Sequence, residues 1–137
     1  MKHGPAPLIC LSLSLGMLGS SALAEPNLVP SLESVPDVCP QRPDEPEWMQ
    51  NIPLRDAYHR VLVQDIYRAQ NMERITETGS CDCEIRFSNW DAAEGIFGEN
   101  YANAGRWEML QASDVYNRRA NDLRPEAQAI CDAVGNW

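Results

Sequence analysis

From Leu54 to Ile75 the apolar residues return every three or four positions: Leu54, Tyr58, Val61, Leu62, Ile66, Ala69, Met72 and Ile75. That spacing predicts one amphipathic helix with a single apolar stripe over 53–78. Pro53 stands where proline is tolerated, in a helix's first turn, and Gly79 is a good stop residue. Arg55, Asp56, Arg60, Asp65, Arg68, Glu73 and Arg74 fill the opposite face. The Asp56/Arg60 and Asp65/Arg68 spacings suit supporting ion pairs.

The same period resumes at Trp90 and runs through Ala93, Phe97, Tyr101, Ala104, Trp107 and Leu110. A long or kinked helix over 89–122 is expected. Gly95, Gly98 and Gly105 each weaken it by about 1 kcal/mol relative to alanine. They either permit close packing or, at Gly105, break the helix. Ser88 followed by Asp91 resembles a capping box with aspartate in the glutamate position. Pro125 opens an expected last helix, 125–134, with Ala127, Ile130, Cys131 and Val134 facing inward and Gly135 stopping it. Between the two long helices, Cys83 to Phe87 alternates and suits a short extended stretch.

The first third of the chain reads differently. Lys2 and His3 precede an apolar run, Leu8 to Leu18, and Ala22-Leu23-Ala24 has the small-x-small form of a cleavage signature. These are the parts of a secretory signal peptide, with cleavage expected after Ala24. The run is shorter than the roughly 20 residues that a bilayer span needs. Cys10 lies too early in it to be a lipoprotein cysteine. Pro26, Pro30, Pro36, Pro40, Pro43, Pro46 and Pro53 then crowd 25–53 and block regular hydrogen-bonded structure. Residues 25–38 read as a flexible proline-rich arm. Residues 39–52 should be ordered because Cys39 ties them down and Trp48 and Met49 pack on the core. The expected organisation is thus a signal peptide (1–24), an arm (25–38) and one domain (39–137).

The fold class that follows is all-α: a small helical bundle of two long amphipathic helices plus a short C-terminal helix. Cysteine usage completes it. Without the leader four cysteines remain, Cys39, Cys81, Cys83 and Cys131. In an exported chain of this size they read as two disulfides. A bridge between Cys81 and Cys83 would close a very small ring, away from usual disulfide geometry. Each therefore pairs with one of Cys39 and Cys131, and which takes which is open. Each bridge closes a long loop and contributes about 4 kcal/mol on the chain-entropy account.

Charge narrows the partners. Twenty acidic side chains face eleven basic ones, a formal net charge of −9. The only lysine, Lys2, lies in the leader, so arginine supplies every later cation. Such a balance argues against nucleic acid and anionic membrane surfaces, which need a basic patch. It favours solubility and basic partners; a protein partner is expected.

Catalytic chemistry finds little support. His59 is the only histidine outside the leader and falls mid-helix. Asp91, Glu94, Glu99 and Glu108 lie on or near the second helix, but glycan cleavage also needs an apolar pocket beside a cleft. Asp82 and Glu84 beside the central cysteines raise thiol pKa values, against a redox pair using Cys81 and Cys83. A zinc site would want four soft ligands. No cofactor and no metal are expected. Trp48, Trp107 and Trp137 are the candidate partner-binding residues, since aromatics are enriched at binding hot spots.

Cys81-Asp82-Cys83-Glu84, Trp90-Asp91-Ala92-Ala93-Glu94 and the late Cys131 together resemble small exported proteins that accompany bacterial conjugation and type IV secretion systems. The resemblance spans about 39–131 and implies an accessory periplasmic component without catalysis. The expectation is a non-catalytic periplasmic or secreted bacterial protein acting through protein–protein contacts. A small cell-wall-active enzyme or enzyme inhibitor is the first alternative, and a thiol-disulfide redox protein the second.

Overall fold

The computed structural model describes Cys39 and residues 42–137. The expected signal peptide (1–24) and the expected arm (25–38) lie outside the described residues. Within them the chain is an all-α bundle: α1 (Glu47–Gln50), a 3-10 turn (Leu54–Asp56), α2 (Ala57–Thr78), α3 (Cys83–Arg86), α4 (Asp91–Asn100) and α5 (Arg106–Asp132).

The first periodic run forms as expected. Pro53 precedes the 3-10 turn, and Gly79 ends α2 in the left-handed conformation (φ 64°), its N–H bonded to Ile75 O at 2.9 Å. A residue without a Cβ carries no steric penalty there. The buried face differs at its start: Leu54 is 91% exposed, and Val61 is also exposed. Asp65 and Asn71 are buried polar residues of the same helix. Arg68 pairs with Asp65 at 3.5 Å as expected, but Arg60 reaches Glu45 at 2.7 Å rather than Asp56.

Boundaries move in the second half. The second periodic run breaks at residues 101–105, with Gly105 extended as the N-cap of α5. A Cβ on Gly95, Gly98 or Gly105 would meet nothing within 4 Å, so close packing is not their role. Helix α5 then continues through exposed Pro125, where a separate last helix was expected. The short helix therefore precedes the second long one. On a solvent face, the Asn121 carbonyl that loses its helical partner to Pro125 can turn to water. Ala127 and Cys131 face inward, Ile130 is half-buried and Val134 is exposed, because α5 has already ended.

Cys83 to Phe87 is not extended. Ile85 and Arg86 N–H both bond to Asp82 O at 2.9 Å, and Phe87 N–H to Cys83 O at 2.8 Å. With no strand beside it among the described residues, the backbone meets its hydrogen-bonding need within one turn. The Ser88/Asp91 capping box does not form: α4 starts at Trp90 without a side-chain cap. Ser88 Oγ is drawn instead to Arg74 and to Asn71 Oδ1, and Asp91 accepts from Asn89.

The two long helices run parallel. Arg106 lies over Tyr58, Ser113 donates to Asp65, Arg119 pairs with Glu73, and Cys131 meets Cys81 beyond the end of α2. Partner numbers rise together along both helices. The return path is split between the connector 79–90 and α4. Tyr67 Oη–H bonds to Ser88 O at 2.8 Å, Trp90 stacks on Tyr67 at 3.9 Å, and Phe97 reaches His59. The strap 42–50 runs along α2 as well, with Glu45 accepting from Arg60 and Gln64 and Pro43 O from Trp90 Nε1–H.

Two apolar clusters result. Met49, Leu62, Val63, Ile66, Tyr67, Trp90, Ala93 and Met109 form the larger. Ile75, Cys81, Ala127 and Cys131 form the smaller, at the disulfide end.

Candidate functional site

The open choice of partners resolves as Cys39–Cys83 and Cys81–Cys131, with Cα–Cα separations of 5.1 and 5.0 Å. Cys81 lies before α3 and Cys83 opens it, with Asp82 between them as the N-cap. Cys81 and Cys131 are buried in the smaller cluster, while Cys39 and Cys83 are half-buried. The connector thus holds the strap with one sulfur and α5 with the other.

Asn136 completes the clasp. Its Nδ2–H donates to Cys81 O at 3.0 Å, its Oδ1 accepts from Cys39 N–H at 3.3 Å, and its own N–H reaches Cys131 O at 2.9 Å. Gly135, at φ 75°, makes the turn that brings it there. One buried amide therefore ties both bridged regions to the tail and fixes where Trp137 stands.

Beside Trp137 a cavity of about 370 Å³ opens between α2, the strap and the connector. Arg42, Arg68 and Arg86 line it together with Met72, Phe87 and Trp137. A second cavity of about 240 Å³ shares Arg68, Met72 and Trp137 and adds Arg124 from α5. Arg86 and Arg124 flank the Trp137 ring, with guanidinium carbons 5.5 and 5.8 Å from its centroid, and Arg86 also lies over Phe87 at 4.7 Å. Four of the ten arginines of an acidic chain thus line the two cavities that Trp137 shares, with Arg42 also lying over Trp90 at 5.4 Å.

The cations differ in their partners. Arg42 and Arg68 hold single contacts of 3.5 Å to Glu45 and Asp65. Arg86 and Arg124 meet no carboxylate within 4 Å among the described residues. Burial lowers the Arg86 guanidinium from its ordinary value. Behind the arginines the polar wall is internally satisfied: Asn71 Oδ1 accepts from Arg74, and Asp65 accepts from Ser113 and, at 3.5 Å, from Asn117. Burial also raises the Tyr67 phenol, whose proton is held on Ser88 O.

The three candidate tryptophans sit in unlike places. Trp48 is at the rim, its Nε1–H donating to Glu94 at 2.6 Å and its ring stacked on Phe97 at 5.8 Å. Trp107 is 72% exposed in the first turn of α5, because the break before Gly105 resets the helical phase. Trp137 is 37% exposed and belongs to the arginine cluster. His59 is half-buried against Tyr58 and Phe97. Asp91, Glu99 and Glu108 are exposed, and Glu94 is engaged by Trp48.

Sequence reasoning missed the arginine cluster and Asn136. One signal was available: Arg42 follows Cys39 by three residues, and Arg86 follows Cys83 by three, so the bridge between those cysteines brings both arginines to one place. Nothing in the sequence marks Asn136. No protein-family model, curated protein or solved structure matches the chain.

Proposed function

We propose that this is a non-catalytic exported protein of the bacterial periplasm or exterior that acts through protein contacts, with the face around Trp137 as its contact surface. The observation that carries the reading is the pairing of a half-exposed tryptophan with arginines that lack carboxylate partners among the described residues. Tryptophan and arginine are the residue types most enriched at binding hot spots. Asn136 and the two bridges fix this surface before any partner arrives, which lowers the ordering cost of binding. The resemblance to exported conjugation and type IV secretion proteins suggests an accessory role in such an assembly.

A cell-wall-active enzyme would need a buried carboxylate in a groove, and Asp65 does stand in the cavity wall. Its oxygens are taken up by Ser113, Asn117 and Arg68, which suits a residue that orients Arg68 better than a general acid. The redox alternative is disfavoured by both central thiols being committed to distant partners.

The test is capture of partners from envelope extract by the full chain, Trp137→Ala and Trp107→Ala, each checked for native helicity. Loss of a partner with Trp137→Ala alone is expected. Loss with Trp107→Ala alone moves the contact surface to the start of α5 and contradicts the reading.

A further inference from the structure

The cavities beside Trp137 have a chemistry more specific than a general contact face. Three features define it. The walls alternate between guanidinium groups and apolar surface from Met72, Phe87 and Trp137. The two cavities share Arg68, Met72 and Trp137, so they adjoin at Trp137, with Arg86 lining one and Arg124 the other. The other polar groups in the first cavity's wall are Gln64, Asp65, Tyr67 and Asn71, and each already holds a bond within the fold: Gln64 to Glu45, Asp65 to Ser113 and Arg68, Tyr67 to Ser88, and Asn71 Oδ1 to Arg74 and Ser88. The groups left to bind a ligand are therefore chiefly arginine N–H donors over an apolar floor.

We infer that this groove is a receptor for an extended acidic segment of a partner protein, with carboxylate side chains on Arg86 and Arg124 and an apolar side chain between them against Met72 and Trp137. The inference rests on the contact reading above and names the chemistry of the partner. Carboxylate is the anion the site suits best. Guanidinium pairs with it in a two-bond fork, and aromatic walls leave the guanidinium plane free to do so. A polyanion such as nucleic acid or a lipid surface would meet the repulsion of a chain at −9 overall. A short acidic segment samples less of that field, and at Arg86 and Arg124 it lies away from Glu45 and Asp65, which face Arg42 and Arg68. Two adjoining cavities with an arginine in each favour side-chain carboxylates spaced along a strand over a single chain terminus. Arg86 gains most, because its charge is desolvated without a compensating anion among the described residues.

The test is calorimetric titration of the full chain with blocked peptides. One carries two glutamates flanking a leucine. A second has glutamines in their place. A third is the glutamine peptide with a free C-terminal carboxylate, and inorganic phosphate serves as the competing anion. The glutamate peptide is expected to bind, with affinity falling about tenfold or more for the glutamine peptide and for Arg86→Gln, and less for Arg86→Lys. Raised salt should weaken it. Equal binding by Arg86→Gln, or no binding of the glutamate peptide, overturns the inference. So does tighter binding of the free-terminus peptide, which would make the groove a terminus receptor. Displacement by phosphate at equal concentration would make it a general anion hole. Residues 25–38 carry Glu33 and Asp37 just before Cys39. If only the Glu33→Gln/Asp37→Asn chain binds the peptide, the groove's occupant is this chain's own segment and the inference falls. Failure of the peptides with partner capture still dependent on Trp137 sinks this inference alone. Capture indifferent to Trp137 sinks the contact reading.

Discussion

Asn136 is the polar residue that joins both bridged regions to the tail. It serves Cys81 O, Cys39 N–H and its own helix end while buried. Asn136→Ala leaves a buried carbonyl and an amide N–H without partners. A loss of about 1–3 kcal/mol is expected, read as a lower denaturation midpoint with both bridges intact. Tyr116 gives a second residue-level expectation. Burial, then its hydrogen bond with Tyr101, pushes its phenol up to about 12, against 10.0 for an ordinary tyrosine. The folded pKa is raised, so the unfolded chain releases this proton first. The stabilisation is complete below pH 10 and is lost as pH rises from 10 toward 12. Tyr67 acts in the same direction. Thermal midpoints measured across that window should fall, and Tyr116→Phe should flatten the fall. An unchanged slope in the variant would remove Tyr116 from the account.

At the scale of elements, helix α4 has the least favourable helix-forming sequence of the three longer helices. Gly95 and Gly98 sit inside its single short run, and neither has a neighbour that a Cβ would strike. Gly98→Ala should therefore stabilise by about 0.5–1 kcal/mol, seen as a raised thermal midpoint. A lowered midpoint would mean that the glycine is needed for packing. Pro125→Ala should also stabilise, since it restores an N–H to α5 at an exposed position. These two helices mark what periodicity can and cannot reveal. The span of α2 was legible because one uninterrupted stripe, Pro53 and Gly79 agreed. The division of the second run was not. Local signals at Gly105 and Pro125 competed, and the outcome turned on tertiary ties. Cys131 is bridged to Cys81 and Ala127 is packed in the core, so α5 is held together across its proline. Ser88 shows the same override: a good capping residue is taken by Arg74 and Asn71. The arginine cluster was legible only in part for a related reason. Arg42, Arg68, Arg86 and Arg124 lie on four different segments, and helix packing together with the cross-links brings them to one place.

Over the whole molecule, two parallel helices are joined by a return path that one short helix cannot cover alone. The connector 79–90 supplies the rest, and both of its cysteines are spent on holding the strap and α5 against it. The arrangement makes one end of the bundle rigid, and that end carries Trp137, Arg86 and the groove. The account's central claim is therefore the double staple. Cleavage on the amino side of Asp82 separates Cys81 from Cys83, so mass spectrometry of the unreduced, alkylated chain can assign each bridge. The predicted result is Cys39 linked to Cys83, Cys81 linked to Cys131, and no alkylated thiol among the four. A Cys81–Cys83 ring, the exchanged pairing, or free thiols at the connector would contradict the claim and with it the fixed surface on which the functional reading stands.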